Sequence, residues 1–331
     1  PKFTGRDIFG LQQAADPEIR PDGGAIAYVR VTNDIMTDRS RRSIWLADAK
    51  TGAQTPLVAQ EGSSFSPRWS PDGQRLAYVA VVGGAPQLFV RWVAAGREAK
   101  VATLEQAPGD ITWSPDGKTL AFTMMVPDEG AKLGAPPQPK PEGAQWAEPL
   151  RVEDRVNWRA DGEGELKPGY SQIFTISADG GAPRQRTFGR FDAQGPLAFT
   201  GDGQGLLFAT DRDKGWERDA GEADLYRLSL ADGVLTQLTH RVGPDYAPVV
   251  SPNGKQIAYL GFDNARHRGY ENQRVYLMDA DGKNARALTT GLDRSVDTAV
   301  WSGDGKSLVI GYVDQGVTKV ARLGLDGKLT P

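Results

Sequence analysis

Short apolar runs alternate with polar turns along the whole chain, and the turns share one sequence. The clearest copy, at 67–79, reads Pro-Arg-Trp-Ser-Pro-Asp-Gly-Gln-Arg-Leu-Ala-Tyr-Val. Within Ser-Pro-Asp-Gly, Pro presets φ and Gly tolerates the backbone conformation that a tight turn requires. Each copy therefore predicts a hairpin between two short strands. Further copies lie at 17–29, 111–122, 197–208, 248–260 and 299–310.

Two more strands follow each hairpin. The run 87–92 is aromatic and β-branched, as a third strand would be, and the turn 280–282 leads to a fourth strand that closes on Leu-Thr. The strand after the hairpin, 76–82 for example, is apolar at nearly every position, which suits burial on both faces. The turn glycines recur about every 44–51 residues, with one longer interval, which is the spacing of propeller blades. The sequence therefore predicts an all-β fold, a β-propeller of six four-stranded antiparallel blades.

The repeats also predict the domain organisation. We expect a lead-in segment over 1–13 and a propeller over 14–331. A short helical pattern runs from Phe3 to Ala15, where Thr4 is a suitable N-cap. The predicted blades are 14–60, 61–106, 107–189, 190–241, 242–291 and 292–331.

The third blade carries one large insertion, residues 127–168. Its Pro-rich part, 134–143, is predicted to be extended and mobile, whereas 146–161 mixes aromatic and charged residues and is predicted to be ordered. Long excursions from a rigid scaffold often carry binding residues. The insertion is therefore either a binding element or a flap that covers a sheet edge.

Composition and charge exclude several classes of protein. The 331 residues carry a net charge of −3, and Lys and Arg are scattered, so we expect no nucleic-acid partner. No apolar run is long enough for a membrane helix, and we expect no membrane span. The absence of cysteine excludes disulfides, thiolate catalysis and Cys-ligated zinc. Because the chain opens on Pro, we expect that an upstream piece was removed.

The residues that could carry chemistry are few. No Gly-x-Ser-x-Gly nucleophile motif occurs. His240 ends a fourth strand and is interpreted as a surface residue, while His267 lies in a loop that could face a ligand. The run 211–215 lacks the remaining acidic positions of a calcium loop and is interpreted as a solvated loop. We therefore expect no catalytic residue, no metal site and no cofactor in this chain.

The Trp-Ser-Pro-Asp-Gly-x-x-x-Ala-Tyr/Phe repeat resembles the WD40-like units of TolB-type propellers and of the propeller domain of prolyl oligopeptidase family (S9) serine peptidases. The segments 3–11, 16–23, 156–164 and 261–272 are similar to acylaminoacyl-peptidase-like and dipeptidyl-peptidase-like members. The resemblance covers essentially the whole chain. The paired-glutamate motif with which dipeptidyl peptidases hold a free amino terminus has no clear match here.

This resemblance implies a role beside a catalytic domain. In that family an α/β-hydrolase domain with the Ser, Asp and His follows the propeller, and it is absent from 1–331. The expected function is a non-catalytic propeller that gates and helps to bind peptide substrate for that C-terminal hydrolase domain. The alternative is a TolB-like periplasmic scaffold for protein–protein interaction, without enzymatic activity. A periplasmic or secreted location is expected, with the cytoplasm as the alternative.

Substrate contacts are expected from the insertion and from one loop. Guanidinium groups match carboxylates in bidentate fashion, and an indole offers a broad apolar surface. The alternative pairs these arginines with Glu148, Glu153, Asp154 and Asp161 inside the insertion. The candidate substrate-binding residues are Arg151, Arg155, Trp158, Arg159 and His267.

Overall fold

A computed structural model describes residues 2–58, 62–128, 130, 138–147, 152–162, 164–219, 221–266 and 270–330. These residues form six four-stranded antiparallel sheets arranged as the blades of a β-propeller. The all-β, six-blade prediction is therefore confirmed. Within the described ranges, no helix has the length and apolar character that a membrane crossing would require.

The strands follow the chain in order, and each blade runs from its inner to its outer strand. Blade 1 contains β1 (Gln12–Ile19), β2 (Ala25–Asp34), β3 (Arg39–Asp48) and β4 (Gln54–Val58). Blade 2 contains β5 (Ser64–Trp69), β6 (Arg75–Val82), β7 (Ala85–Trp92) and β8 (Arg97–Thr103). Blade 3 contains β9 (Gly109–Trp113) and β10 (Thr119–Pro127), then, after the separate hairpin of β11 (Arg159–Ala160) and β12 (Gly164–Glu165), β13 (Gly169–Ser177) and β14 (Arg184–Gln185).

The second half of the chain repeats this arrangement. Blade 4 contains β15 (Gln194–Phe199), β16 (Gly205–Thr210), β17 (Asp224–Ser229) and β18 (Leu235–Gln237). Blade 5 contains β19 (Asp245–Val250), β20 (Gln256–Gly261), β21 (Arg274–Asp279) and β22 (Arg286–Ala287). Blade 6 contains β23 (Val296–Trp301), β24 (Ser307–Asp314), β25 (Val317–Gly324) and β26 (Leu329–Thr330). In the described part of the chain, 3-10 helices span Gly5–Gly10 and Trp216–Arg218.

Each inner hairpin closes through its own side chains. In blade 3, Ser114 Oγ donates to Asp116 Oδ1 over 2.6 Å, and the same hydroxyl accepts the backbone N–H of Thr119 over 2.9 Å. Gly117, at φ +66°, occupies the left-handed conformation that the last turn position needs. The turn chemistry of Ser-Pro-Asp-Gly therefore forms the predicted hairpins.

The strand after each hairpin is buried on both faces. Leu76 and Tyr78 of β6 pack with Ile44 of blade 1, whereas Ala77 and Val79 pack with blade 3. All four β6 residues have no exposed surface. Alternate residues of a strand point to opposite faces, so one strand contributes to two interfaces between blades.

Tryptophan indoles fix the register between neighbouring blades. Trp69 Nε1 donates to the Glu18 carbonyl of blade 1 over 3.1 Å. Trp113 Nε1 reaches the Arg68 carbonyl over 2.9 Å, and Trp301 Nε1 reaches the Val249 carbonyl over 3.1 Å. In each pair the acceptor belongs to the inner strand of the preceding blade, so these indoles lie between blades.

The lead-in segment differs from its prediction. The helix is a 3-10 helix that ends at Gly10, and Gln12 already pairs with Thr32 as the first residue pair between β1 and β2. Pairing with an adjacent strand overrides the helical preference of Gln-Gln-Ala-Ala over 12–15, because propensity is weaker than tertiary context. Thr4 lies at the helix start, where its backbone N–H donates to Asp7 Oδ2.

The two-sided burial of β6 leads to a stability prediction. Ala77→Phe should lower the free energy of unfolding by about 1–3 kcal/mol, because the larger ring overpacks the interface between blades 2 and 3. Ala95→Phe, at an exposed turn of the same blade, is the matched control and should leave stability unchanged. Denaturant unfolding followed by intrinsic fluorescence measures both variants. Equal midpoints for Ala77→Phe and the parent chain would show that β6 is not packed between two sheets.

Candidate functional site

The insertion leaves the propeller between β10 and β13, at the end opposite to the Ser-Pro-Asp-Gly turns. Two other connections meet it there, namely 186–193 before β15 and 211–223 between β16 and β17. Antiparallel pairing brings these strand ends to one side of blades 3 and 4. The candidate site is built where the three segments meet.

Arg155 joins the insertion to both blades. Its Nη1 donates to the Gly169 carbonyl, its Nη2 lies 3.7 Å from Asp192 Oδ2, and its Nε lies 3.5 Å from Glu217 Oε1. The guanidinium also lies over the Tyr170 ring, 4.4 Å from its centroid. Only 16% of this side chain is exposed. Arg155 therefore connects the insertion to the start of β13 and to the connections on either side of β15 and β16.

Glu217 and Asp192 also hold backbone amides. Glu217 Oε2 accepts the Val156 N–H over 3.1 Å, and Asp192 Oδ1 accepts the Ser171 N–H over 2.7 Å. Burial raises the pKa of Asp192 above its ordinary value, while the Ser171 N–H and the Arg155 guanidinium oppose that rise. Both carboxylates thus bind the chain around Arg155.

A second arginine forms a similar connection at the edge of the site. Arg190 Nε lies 2.9 Å from Asp128 Oδ2, and its Nη1 lies 3.8 Å from Asp154 Oδ2. Arg190 also lines a cavity of about 190 Å³ together with Asp128, Tyr170 and Gln172. A cavity of this size is below the range of drug-sized ligand pockets and suits one small side chain.

Aromatic side chains form the apolar base of the site. The Trp216 ring contacts Tyr170 edge to face, with centroids 6.2 Å apart, and lies at the same distance from Phe191. The Arg212 guanidinium lies over Phe191, 4.3 Å from its centroid. These contacts bring the 211–223 connection against blade 3 and hold Glu217 in reach of Arg155.

The structure gives the predicted site residues different positions. Trp158 is 41% exposed, and Arg159 is exposed on β11 of the small hairpin. Arg155 is close to them in sequence, but its side chain is mostly buried and faces Asp192 and Glu217. Arg151 and His267 lie outside the described residues, as do 134–137 of the Pro-rich part.

The ion pairs of Arg155 reach beyond the insertion. Glu148, Glu153, Asp154 and Asp161 are the alternative partners predicted for the arginines of the insertion. The described carboxylate partners of Arg155 are Asp192 and Glu217. Asp154 is instead near Arg190. Neither Asp192 nor Glu217 stands in a motif. Their only sequence signal is a polar residue in a connection beside an aromatic one, Phe191 or Trp216.

A second charged cluster lies between blades 4 and 5. Arg241 pairs with Asp245, which has no exposed surface, and Thr239 Oγ1 donates to Asp224 Oδ1 over 3.0 Å. Asp211 is also buried, whereas 213–215 of the run interpreted as a solvated loop are exposed. Among the described residues, no group of three or more acidic or histidine side chains has a metal-binding arrangement.

Burial of Asp245 leads to a pH prediction. Burial raises the pKa of Asp245 to about 7, against the attraction of Arg241, while an unfolded Asp titrates near 3.9. Between these values the folded chain holds a proton that the unfolded chain has lost, so stability falls as pH rises through this window. Asp245→Asn should flatten the dependence of unfolding free energy on pH between about 4 and 7.

Denaturant unfolding at several pH values measures this slope. Asp161→Asn, on an exposed turn of the insertion, is the control and should retain the parent slope. An Asp245→Asn variant with the same slope as the parent would show that this carboxyl does not hold a proton in the folded chain.

Comparisons with known proteins agree with the fold. Residues 11–130 match the family model of the TolB beta propeller domain, and residues 164–265 match that of the dipeptidyl peptidase IV N-terminal region. An acylaminoacyl peptidase of Pyrococcus horikoshii superimposes with a TM-score of 0.75 at 17% identity, over 99% of this chain and 47% of that one. That structural likeness supports the propeller fold.

Two peptidases are similar in sequence. The uncharacterized peptidase YuxL of Bacillus subtilis is 28% identical over 210 residues, covering 63% of this chain and 31% of the relative. Dipeptidyl-peptidase 5 of Porphyromonas gingivalis is 23% identical over 313 residues, covering 90% of this chain and 44% of the relative. The chain thus spans less than half the length of these relatives. The chain is a six-bladed β-propeller, similar over 11–130 to the TolB beta propeller domain and over 164–265 to the dipeptidyl peptidase IV N-terminal region.

Proposed function

We propose that this chain is the non-catalytic N-terminal propeller of a serine peptidase, and that it gates and helps to bind peptide substrate for an α/β-hydrolase domain of the full-length protein. The match to the dipeptidyl peptidase IV N-terminal region and the likeness to peptidases support this role. The observation that carries it is the attachment of the insertion through Arg155 to Asp192 and Glu217, both inside the matched region.

In this proposal Arg155 is a positioning residue. Its guanidinium is mostly buried and already faces two carboxylates, so its charge is engaged within the protein. It holds the insertion on blades 3 and 4, and pre-organisation of this kind lowers the entropy that a bound peptide must overcome. The hairpin of β11 and β12 is then presented in one orientation.

Trp158 and Arg159 are the proposed substrate contacts. Both are exposed and adjacent on the hairpin, next to the segment that Arg155 fixes. An indole packs against an apolar peptide side chain, and a guanidinium pairs with a peptide carboxylate. Arg151 and His267 remain sequence-based candidates for the same role.

Kinetics of the full-length protein test this assignment. Trp158→Ala and Arg159→Ala should each raise KM for peptides by roughly 3–10-fold with kcat unchanged, because each removes a binding contact worth about 0.5–1.5 kcal/mol. Lys167→Ala changes another exposed cation of the insertion and should leave KM unchanged.

Two outcomes contradict the proposal. Unchanged KM in both variants would indicate that the insertion only covers a sheet edge. A full-length protein without a hydrolase domain would instead support the TolB-like scaffold.

A further inference from the structure

The connection between β16 and β17 carries acidic residues at the spacing of a calcium-binding loop. Its carboxylates stand at positions one, three, nine and twelve of such a loop, namely Asp211, Asp213, Asp219 and Glu222. EF-hand loops place ligands at these four positions, although the fifth and sixth positions here are Gly and Trp. The acidic positions that the run 211–215 lacks are therefore found further along the same connection.

The first of these residues has a buried oxygen without a partner. Asp211 is 9% exposed, and its Oδ1 accepts the Asp213 N–H over 2.9 Å. Asp211 Oδ2 is buried and has no hydrogen-bond partner within the described part of the chain. The same is true of the hydroxyl of Thr210, which is 1% exposed. Burial of oxygen atoms costs free energy unless a donor or a cation compensates it, so this end of the connection lacks a positive partner.

The neighbouring carboxylates add repulsion to this cost. Burial raises the pKa of Asp211, the Asp213 N–H opposes that rise, and the negative charges of Asp213 and Asp219 increase it. Burial also raises the pKa of Glu222, the Gly243 N–H opposes it, and Asp219 again adds to it. Among the described residues, no ion pair joins Asp211, Asp213 or Asp219 to an arginine or lysine. The cluster thus contains excess negative charge.

Two of the carboxylates are able to turn toward the buried oxygen. Asp213 and Asp219 are exposed, and no hydrogen bond to their carboxylates is seen in the described ranges. Glu222 differs, because both of its oxygens accept the Gly243 N–H, over 2.7 and 2.9 Å. As they stand, no three described acidic side chains share a metal-binding arrangement. An ion would therefore have to draw the two exposed carboxylates toward Asp211 Oδ2.

We infer that the start of this connection binds one calcium ion through Asp211 Oδ2 and the carboxylates of Asp213 and Asp219, with water at the remaining positions. Calcium accepts oxygen ligands in flexible geometry, which suits one fixed carboxylate and two that move. Magnesium demands near-ideal octahedral geometry and gives up its water reluctantly, so the site should prefer calcium. The ion also supplies the positive charge that the buried oxygen lacks.

The bound ion should affect the insertion as well. The two exposed ligands flank the 3-10 helix Trp216–Arg218 in sequence. Within that helix, Glu217 pairs with Arg155 and accepts the Val156 N–H. An ion held from both ends limits the movement of the helix and keeps Glu217 against the insertion. Any effect of calcium on peptide binding rests on the proposed function, whereas ion binding itself does not.

Calorimetric titration of the chelator-treated chain with calcium chloride tests the site. The parent chain should bind one ion with a Kd of roughly 10⁻⁵–10⁻³ M, and magnesium at the same ionic strength should bind about tenfold more weakly or less. Asp213→Asn and Asp219→Asn should each weaken calcium binding by about tenfold or more, because each removes a charged ligand. Both positions are exposed, so the variants should fold, which circular dichroism checks. Asp161→Asn, on an exposed turn of the insertion, is the control and should bind as the parent does.

Three results overturn the inference. They are the absence of saturable calcium binding up to about 10 mM, unchanged affinity in both Asp213→Asn and Asp219→Asn, and equal affinity for magnesium and calcium. The last result would show that loosely held counterions surround the acidic cluster. The titration uses no peptide, so a failure of the gating proposal would leave calcium binding intact.

Hydrogen exchange of the Val156 amide tests the link to the insertion. Saturating calcium should slow this exchange in the parent chain and leave it unchanged in Asp219→Asn, because the variant lacks one ligand. Exchange that calcium does not alter in the parent chain would show that the ion does not act on the helix that carries Glu217.

Discussion

The structure depends on one constraint, that a central strand must be buried on both of its faces at once. Ala77, Ala121 and Ala258 meet this constraint, because a methyl side chain lets adjacent sheets approach closely, and none of the three has exposed surface. The large residues beside them, such as Tyr78 and Phe122, fill the opposite interface. The indole hydrogen bonds then fix how far one blade slides along the next. A repeat of this kind is stable through its neighbours.

The site follows from this rigid base. Propeller blades hold the ends of β13, β15 and β16 at fixed separations, and three connections from those ends converge on Arg155. The Tyr170 ring covers one face of the Arg155 guanidinium, Trp216 packs against that ring, and only 16% of the Arg155 side chain is exposed. Reduced hydration strengthens its attraction to Asp192 and Glu217. An insertion that would otherwise be a long excursion becomes a fixed part of the rim of the propeller.

Local pattern was sufficient to predict the hairpins, the strand after each hairpin and the six repeats, because turn chemistry and alternation act within a few residues. Local pattern was insufficient where contacts with segments distant in sequence determine the secondary structure or the partner of a side chain. The sequence over 12–15 favours a helix, but pairing with β2 makes it a strand. Inner strands also contain bulges, where Ser66 and Asp110 have positive φ. The residue types at these positions do not predict the bulges. The described carboxylate partners of Arg155 lie in other repeats, where no local pattern marks them.

The claim that the insertion is fixed to blades 3 and 4 can be tested on a single amide. Val156 is 51% exposed, and its backbone N–H donates to Glu217 Oε2. Hydrogen exchange measured by NMR should find this amide protected in the parent chain and in Arg159→Ala. In Arg155→Ala the protection should be lost while the β6 amides remain protected. A Val156 amide that exchanges at the unprotected rate in the parent chain, or that stays protected without Arg155, would contradict the account.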